Sequence, residues 1–217
     1  GFADMAGSFL ERENDRITTT TATSVEGGLS QLADGDFDCI ISDYDMPGQT
    51  GLDFLRQVRQ DHPNLPFILF TGKGSEEIAS DAISAGATDY LQKETSDEQY
   101  ELLANRIAYA AERARSQRAE RFLRELAEHT EHILYIFTPD WDEVLYVNSA
   151  YDDIWGRSAT GLEGGPTDFL NGVHPDDRPE VQASVRRMSR GEAVELEFRV
   201  NADETFQRWV RARGKPI

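Results

Sequence analysis

The chain has 217 residues, of which 39% are hydrophobic and 29% charged, enough apolar content for packed cores and too much for wholesale disorder. Asp and Glu number 40 against 22 Lys and Arg, and the net charge of -18 repels nucleic-acid phosphates, which argues against direct DNA binding. The longest apolar runs, such as Phe67-Ile68-Leu69-Phe70, fall far short of the ~18 residues a membrane-spanning helix needs, and Gly1-Phe2-Ala3-Asp4 lacks the basic start and apolar run of a secretory signal.

From the N-terminus, Phe2, Met5, Ala6, Phe9 and Leu10 recur at helical spacing and predict an amphipathic helix. The threonine-rich residues 17–22 predict a strand, and Ser24 can cap a short helix carrying Leu29 and Leu32. Residues 37–42 form an apolar run ending at Asp43 and predict a buried strand. Cys39 lies in that run; as the one cysteine it excludes an internal disulfide and fits a reducing cytoplasm. Residues 51–60 predict a helix with Leu52, Leu55 and Val58 on one face. Residues 66–71 predict a second buried strand. Ser75 begins a helix with Ile78, Ala79, Ala82 and Ile83 facing inward, and Tyr90 and Leu91 sit in a last short strand. Strands separated by single helices predict right-handed crossovers and a parallel sheet. Such sheets carry their ligand sites at the carboxyl ends of the strands, so Asp43, Thr71 and Lys93, each closing one predicted strand, are expected to converge on one edge.

Residues 96–138 contain no Gly or Pro. Leu103, Ile107, Ala110 and Ala114 keep a three-four spacing that Phe122 and Leu126 resume, which predicts one long helix with the domain boundary inside it. Its apolar stripe suits either pairing with a second copy or packing on the first domain. Beyond it, residues 133–137 and 144–148 predict two strands around the turn Thr138-Pro139-Asp140. Residues 149–155 and 176–188 predict helices, and 193–200 and 206–213 predict alternating strands. This half reads as an α+β domain with an antiparallel sheet.

The segment Ser42-Asp43-Tyr44-Asp45-Met46-Pro47-Gly48, followed by Gly51-Leu52, resembles response-regulator receiver domains. Thr71 matches that family's hydroxyl residue on the fourth strand, Lys93 its lysine on the fifth, and Tyr90 its aromatic switch position. The resemblance implies a flavodoxin-like fold in which Asp43 accepts a phosphoryl group from a histidine kinase or phosphotransfer protein. It also implies Mg²⁺ held by Asp43, by the backbone carbonyl of Asp45 and by an acidic pair on an opening strand that this chain does not contain. A carboxylate is a competent nucleophile for the transfer, and a cation must neutralise charge on the phosphoryl oxygens. Glu94 stands where the family usually has a proline after a cis bond, which a non-proline residue disfavours by about 2.5–4 kcal/mol. Asp34, Asp36 and Asp38 copy the opening of a calcium-binding loop, but Cys39 and Asp45 occupy the positions that need glycine and glutamate.

Tyr146-Val147-Asn148-Ser149-Ala150-Tyr151, His174-Pro175-Asp176-Asp177-Arg178 and the segment from Arg208 to Gly214 resemble PAS sensor domains, whose final strand would follow Ile217. A photoreactive flavin site would need a cysteine in this half. His174 falls in a turn rather than on a haem-ligating helix. Trp155, Phe169, Phe198 and Trp209 read as core before they read as pocket lining. His129 and His132 lack the flanking pattern of a phosphorylated histidine, and no ATP-binding motif follows, so no kinase catalysis is encoded here, although a kinase could be part of a longer parent.

The expectation is therefore a receiver over residues 1–115 and a linker helix with a PAS domain over 116–217. The protein is cytoplasmic, signals by phosphorelay, and forms a homodimer through the linker helix and PAS domain, with no direct contact to nucleic acid or membrane. The resemblance points to a parent of the archaeal hybrid-kinase or receiver-PAS regulator type. Two rivals are a phosphorylation-independent pseudo-receiver acting as an interaction module and a small hydrolase using Asp43.

Overall fold

The structure, a computed structural model, describes residues 2–72, 75–94, 98–164 and 166–215. The side chain of Phe2, the residue Ser96 and the terminal Ile217 lie outside the described residues. The chain divides into two compact units, Gly1–Glu120 and Arg121–Ile217.

The first unit alternates helices and strands: α1 (Phe2–Glu13), α2 (Val25–Asp34), β1 (Ile40–Ser42), α3 (Gly51–Asp61), β2 (Phe67–Thr71), α4 (Glu76–Ser84), β3 (Asp89–Gln92) and the start of α5 (Glu98–Glu128). The strands form a parallel sheet in the order β1-β2-β3, with Ser42 opposite Leu69 and Thr71 opposite Gln92. Alternation along the central strand sorts the core into two layers. Phe67 and Leu69 pack with Leu32, Leu55, Val58 and Ala82 of α2, α3 and α4. Ile68 and Phe70 pack with Leu10 of α1 and with Tyr100, Leu103 and Ile107 of α5. Every residue of β2 is buried, which is why it reads as a continuous apolar run rather than an alternating one.

The helix starts follow local chemistry. Ser24 accepts the Gly27 amide and Ser75 the Ile78 amide. Thr50 and Asp53 form a reciprocal capping box at α3.

Three expectations fail here. Residues 17–22 form no strand, because no described strand lies beside them. Their polar groups turn instead to α1 and α2: Thr19 donates its amide and hydroxyl to Glu11, Thr21 donates its hydroxyl to Asp4, and Gln31 donates to the Thr21 carbonyl. Ile83 is 56% exposed, since it lies about 100° around the helix from fully buried Ala82, at the margin of a narrow apolar face. Met5 is likewise exposed, at 47%, while Leu10 carries the contact of α1 with the sheet.

The second unit holds the end of α5, the hairpin β4 (Tyr135–Phe137) and β5 (Val144–Val147), α6 (Ala150–Trp155), 3₁₀ turns over Ala159–Gly164 and Pro166–Gly172, α7 (Arg178–Met188), and the hairpin β6 (Val194–Val200) and β7 (Arg208–Gly214). Both hairpins are antiparallel, and among the described residues they remain separate two-stranded ladders rather than one sheet. Val194, Phe198 and Val200 are buried on one face of β6, as its alternation predicts, with Tyr151, Trp155, Val173 and Val181 in the same core. No helix of the described residues is long and apolar enough to cross a membrane.

Candidate functional site

Asp43 follows β1 directly, so its backbone leaves the sheet at the carboxyl edge. One carboxylate oxygen accepts the Tyr44 amide at 2.7 Å, and the other accepts the Lys93 ammonium at 2.5 Å. Neither group is deeply buried, since the side chains are 32% and 16% exposed. Lys93 follows β3, and its amide donates to the Thr71 carbonyl at 2.7 Å, which ties the ends of β2 and β3 together. Its ammonium also stands 5.6 Å from the centre of the Phe70 ring. Thr71 is fully buried at the end of β2. Asp43, Thr71 and Lys93 thus occupy the same edge of the parallel sheet, with Asp43 and Lys93 in direct contact.

The loop after Asp43 is folded back against the start of α3. Gly51 donates its amide to the Tyr44 carbonyl at 2.8 Å, and Asp45 forms a bridge with Thr50. A Cβ at Gly51 would stand 2.2 Å from the Asp43 carbonyl oxygen, so only glycine lets α3 approach this closely. The sequence shows a glycine here but not the contact that requires it.

Tyr90 packs into the core beneath the site, and its hydroxyl is buried with no hydrogen-bond partner among the described residues. An unpaired buried hydroxyl is costly, so this side chain holds a position that packing alone supports. The peptide bond from Lys93 to Glu94 is trans, as for every described residue, and Glu94 instead donates its amide to the Gln99 side chain. Burial, with a smaller push from Asp38, raises the Cys39 thiol to about 12, which makes it an inert packing group rather than a nucleophile.

The second unit contains a cavity of about 370 Å³ between its hairpins and α7. Trp155, Phe169 and Phe198 line it together with Phe137, Trp141 and Leu196. Trp155 and Phe198 are also buried core, so the two expectations for them coexist. Trp209 belongs to neither: it is 63% exposed on the opposite face of β7, under the Arg199 guanidinium, because strand alternation turns it away from its neighbour Val210. His174 lies apart from the cavity, with its ring edge-on to Phe206.

Residues 2–105 match the response regulator receiver domain family, and residues 144–217 match the PAS fold family. The chain carries a receiver domain followed by a PAS domain. It is 36% identical over 104 residues to the DNA-binding transcriptional regulator NtrC of Salmonella typhimurium, a match covering 46% of this chain and 22% of NtrC. It is 27% identical over 176 residues to the bacterioopsin transcriptional activator of Halobacterium salinarum, covering 74% of this chain and 26% of that protein. A solved domain assigned to a light and redox sensing histidine kinase of Haloarcula marismortui is 52% identical, with 45% of this chain and 84% of that domain covered and a TM-score of 0.39. The chain therefore spans about a quarter or less of the two regulators.

Receiver domains generally use Mg²⁺ in phosphorylation. In this receiver, no group of three or more His, Cys, Asp or Glu residues among the described ones could hold a metal ion. The Asp43 carboxylate and the Asp45 carbonyl make at most part of an octahedral oxygen set. The described residues do not fit a complete Mg²⁺ site.

Proposed function

We propose that Asp43 of the receiver is the phosphoacceptor of a two-component phosphorelay, and that its state is passed through α5 to the PAS domain. The observation that carries this reading is the contact of Asp43 with Lys93 at the carboxyl edge of the parallel sheet, 2.5 Å between oxygen and ammonium. An Asp43 oxygen attacks phosphorus, the P–N bond of a partner's phosphohistidine breaks, and the imidazole leaves with its electron pair and takes up a proton. Lys93, freed from the carboxylate it now neutralises, pairs with the phosphoryl oxygens. Thr71 supplies a hydroxyl to the same oxygens, and Tyr90 is the aromatic group whose packing responds. A charged group arriving at the sheet edge biases a surface with two arrangements. The partner is a histidine kinase or phosphotransfer protein. Mg²⁺ is the expected metal, with Asp43 and the Asp45 carbonyl among its ligands.

A homodimer through α5 and the PAS domain belongs to the same reading. Phe122, Leu123 and Leu126 are more than half exposed on a stretch of α5 whose positions 115–126 are all exposed, which supports a partner helix there.

The second reading is a receiver that acts without phosphorylation as an interaction module, and it requires that the acidic pair be missing from the gene as well. One experiment separates the two. The protein, with any residues that precede Gly1 in its gene, is treated with Mg²⁺ and acetyl phosphate and its mass measured. The wild type is expected to gain one phosphoryl group, Asp43→Asn none, and Lys93→Ala to gain it roughly 10²-fold more slowly. Loading that is absent from the wild type, or undiminished in Asp43→Asn, ends the phosphoacceptor reading.

A further inference from the structure

Helix α5 is held at both ends by side chains that are distant in sequence. On the receiver, Arg115 grips Asp38, the residue two before β1, with both guanidinium arms, one at 2.9 Å. From residue 115 to 126 every position is exposed. Among the described residues, the side-chain hydrogen bonds between α5 and the PAS segments after it lie in its last turn. There Glu128, the final residue of α5, uses both oxygens: one accepts the Ser149 amide at 2.8 Å and the other the Tyr146 hydroxyl at 3.0 Å. Beside it Asn148, only 1% exposed, donates its amide group to the Ala127 carbonyl at 2.7 Å and to the His132 carbonyl at 2.9 Å. Its own side-chain oxygen accepts the Leu134 amide.

This arrangement answers a specific need. The last carbonyls of a helix have no partner within it, and here Asn148 supplies one to Ala127. Ser149 precedes α6 but makes no side-chain cap of its own, and the Glu128 carboxylate takes its amide instead. The end of α5, the end of β5 and the start of α6 are therefore joined by hydrogen bonds to charged or fully buried groups, the stronger kind. Neighbouring carboxylates elsewhere on α5, such as Glu120 and Glu125, are exposed.

We propose that Glu128 is a positioning residue: it sets the register of the linker helix on the PAS domain, and movement of α5 enters the PAS domain through the joint of Glu128 with Tyr146 and Ser149. Among the described residues, the hydrogen bonds from α5 to the following PAS segments lie in this turn, so a shift along or about the helix axis displaces Glu128 and with it the Ser149 backbone at the head of α6. The part of this inference that concerns signalling rests on Asp43 phosphorylation; the part that concerns the joint does not.

The test is hydrogen exchange on the whole protein, read by mass spectrometry for wild type, Glu128→Ala and Glu128→Gln, with and without Mg²⁺ and acetyl phosphate. Without phosphodonor, Glu128→Ala is expected to speed exchange of residues 121–128 and of the Ser149 amide by about tenfold, with the β6–β7 hairpin unchanged. Glu128→Gln, which keeps an acceptor oxygen, is expected to lie closer to wild type. With phosphodonor, the wild type is expected to change its exchange over residues 144–155. Glu128→Ala is expected to lose that change while Asp43 gains its phosphoryl mass as before. Unaltered exchange at Ser149 in Glu128→Ala, or a phosphodonor response that survives the substitution, overturns the proposal, as does a wild type that loads Asp43 without any response over 144–155. A wild type that gains no mass overturns the phosphoacceptor reading instead, and the joint is then decided by the exchange comparison without phosphodonor.

Discussion

Gly51→Ala is expected to destabilise the receiver by about 3 kcal/mol and to remove phosphodonor uptake with it. Helix propensity alone gives the opposite sign, because alanine is favoured over glycine in a helix by up to about 1 kcal/mol. Geometry decides against propensity. The added methyl would meet the Asp43 carbonyl oxygen at 2.2 Å and Leu69 Cδ1 at 2.7 Å. The leucine tip can turn aside, but the carbonyl cannot. It belongs to the backbone leaving β1 and accepts the Ser42 hydroxyl at 2.9 Å, while the Gly51 amide is held to Tyr44 next door. Relief requires α3 to back away, and α3 carries Leu52, Leu55 and Val58, all buried in the core. The same retreat moves the peptide that aims Asp43 at Lys93. Urea unfolding followed by circular dichroism measures the loss, and a Gly51→Ala protein as stable as the wild type would show that the close approach is not real.

Asp177→Asn is expected to lower the melting temperature of the PAS domain by roughly 5 °C or more at neutral pH, and by progressively less as the solution is acidified. Asp177 accepts the Arg199 guanidinium through both oxygens, at 2.6 and 2.9 Å, and the Arg199 backbone amide at 2.9 Å. These bonds join the head of α7 to the end of β6. The guanidinium hydrogen bonds, with the backbone amide adding to them and partial burial opposing, hold this carboxyl at about 2, below its ordinary 3.8. A carboxyl depressed by folding stabilises the folded state while it is ionised. Its contribution is complete above the ordinary value, near pH 4, and is lost as pH falls through about 2. Many other carboxylates titrate in that range, so the informative quantity is the difference between wild type and Asp177→Asn. That difference should shrink between pH 4 and pH 2 in thermal melts. A difference constant across the interval would mean that Asp177 stabilises by shape and not by charge.

Much of the molecule is legible in the amino-acid sequence. Residues 67–70 are apolar throughout, which suits a strand covered on both faces, and strands separated by single helices make a parallel sheet. The spacing of Leu52, Leu55 and Val58, and of Leu103, Ile107 and Ala110, named the helix faces that turned out to be buried. Asp43, Thr71 and Lys93 could be marked because each ends such a strand, and strand ends in a parallel sheet share one edge. These are local facts: periodicity and strand direction are properties of short segments, and sequence records them.

What the sequence could not state were relations between segments. Residues 17–22 have the composition of a strand, yet a strand exists only beside another, and they bond to α1 instead. Trp209 has the character of a core residue and was turned outward by the register of a hairpin. Gly51 looked like an ordinary helix start until the Asp43 carbonyl was found against it, and nothing around Glu128 distinguishes it from the other carboxylates of α5. Periodicity specifies which side of an element is apolar, but hydrogen-bond partners and close approaches depend on which distant backbone arrives there, and only the tertiary structure decides that.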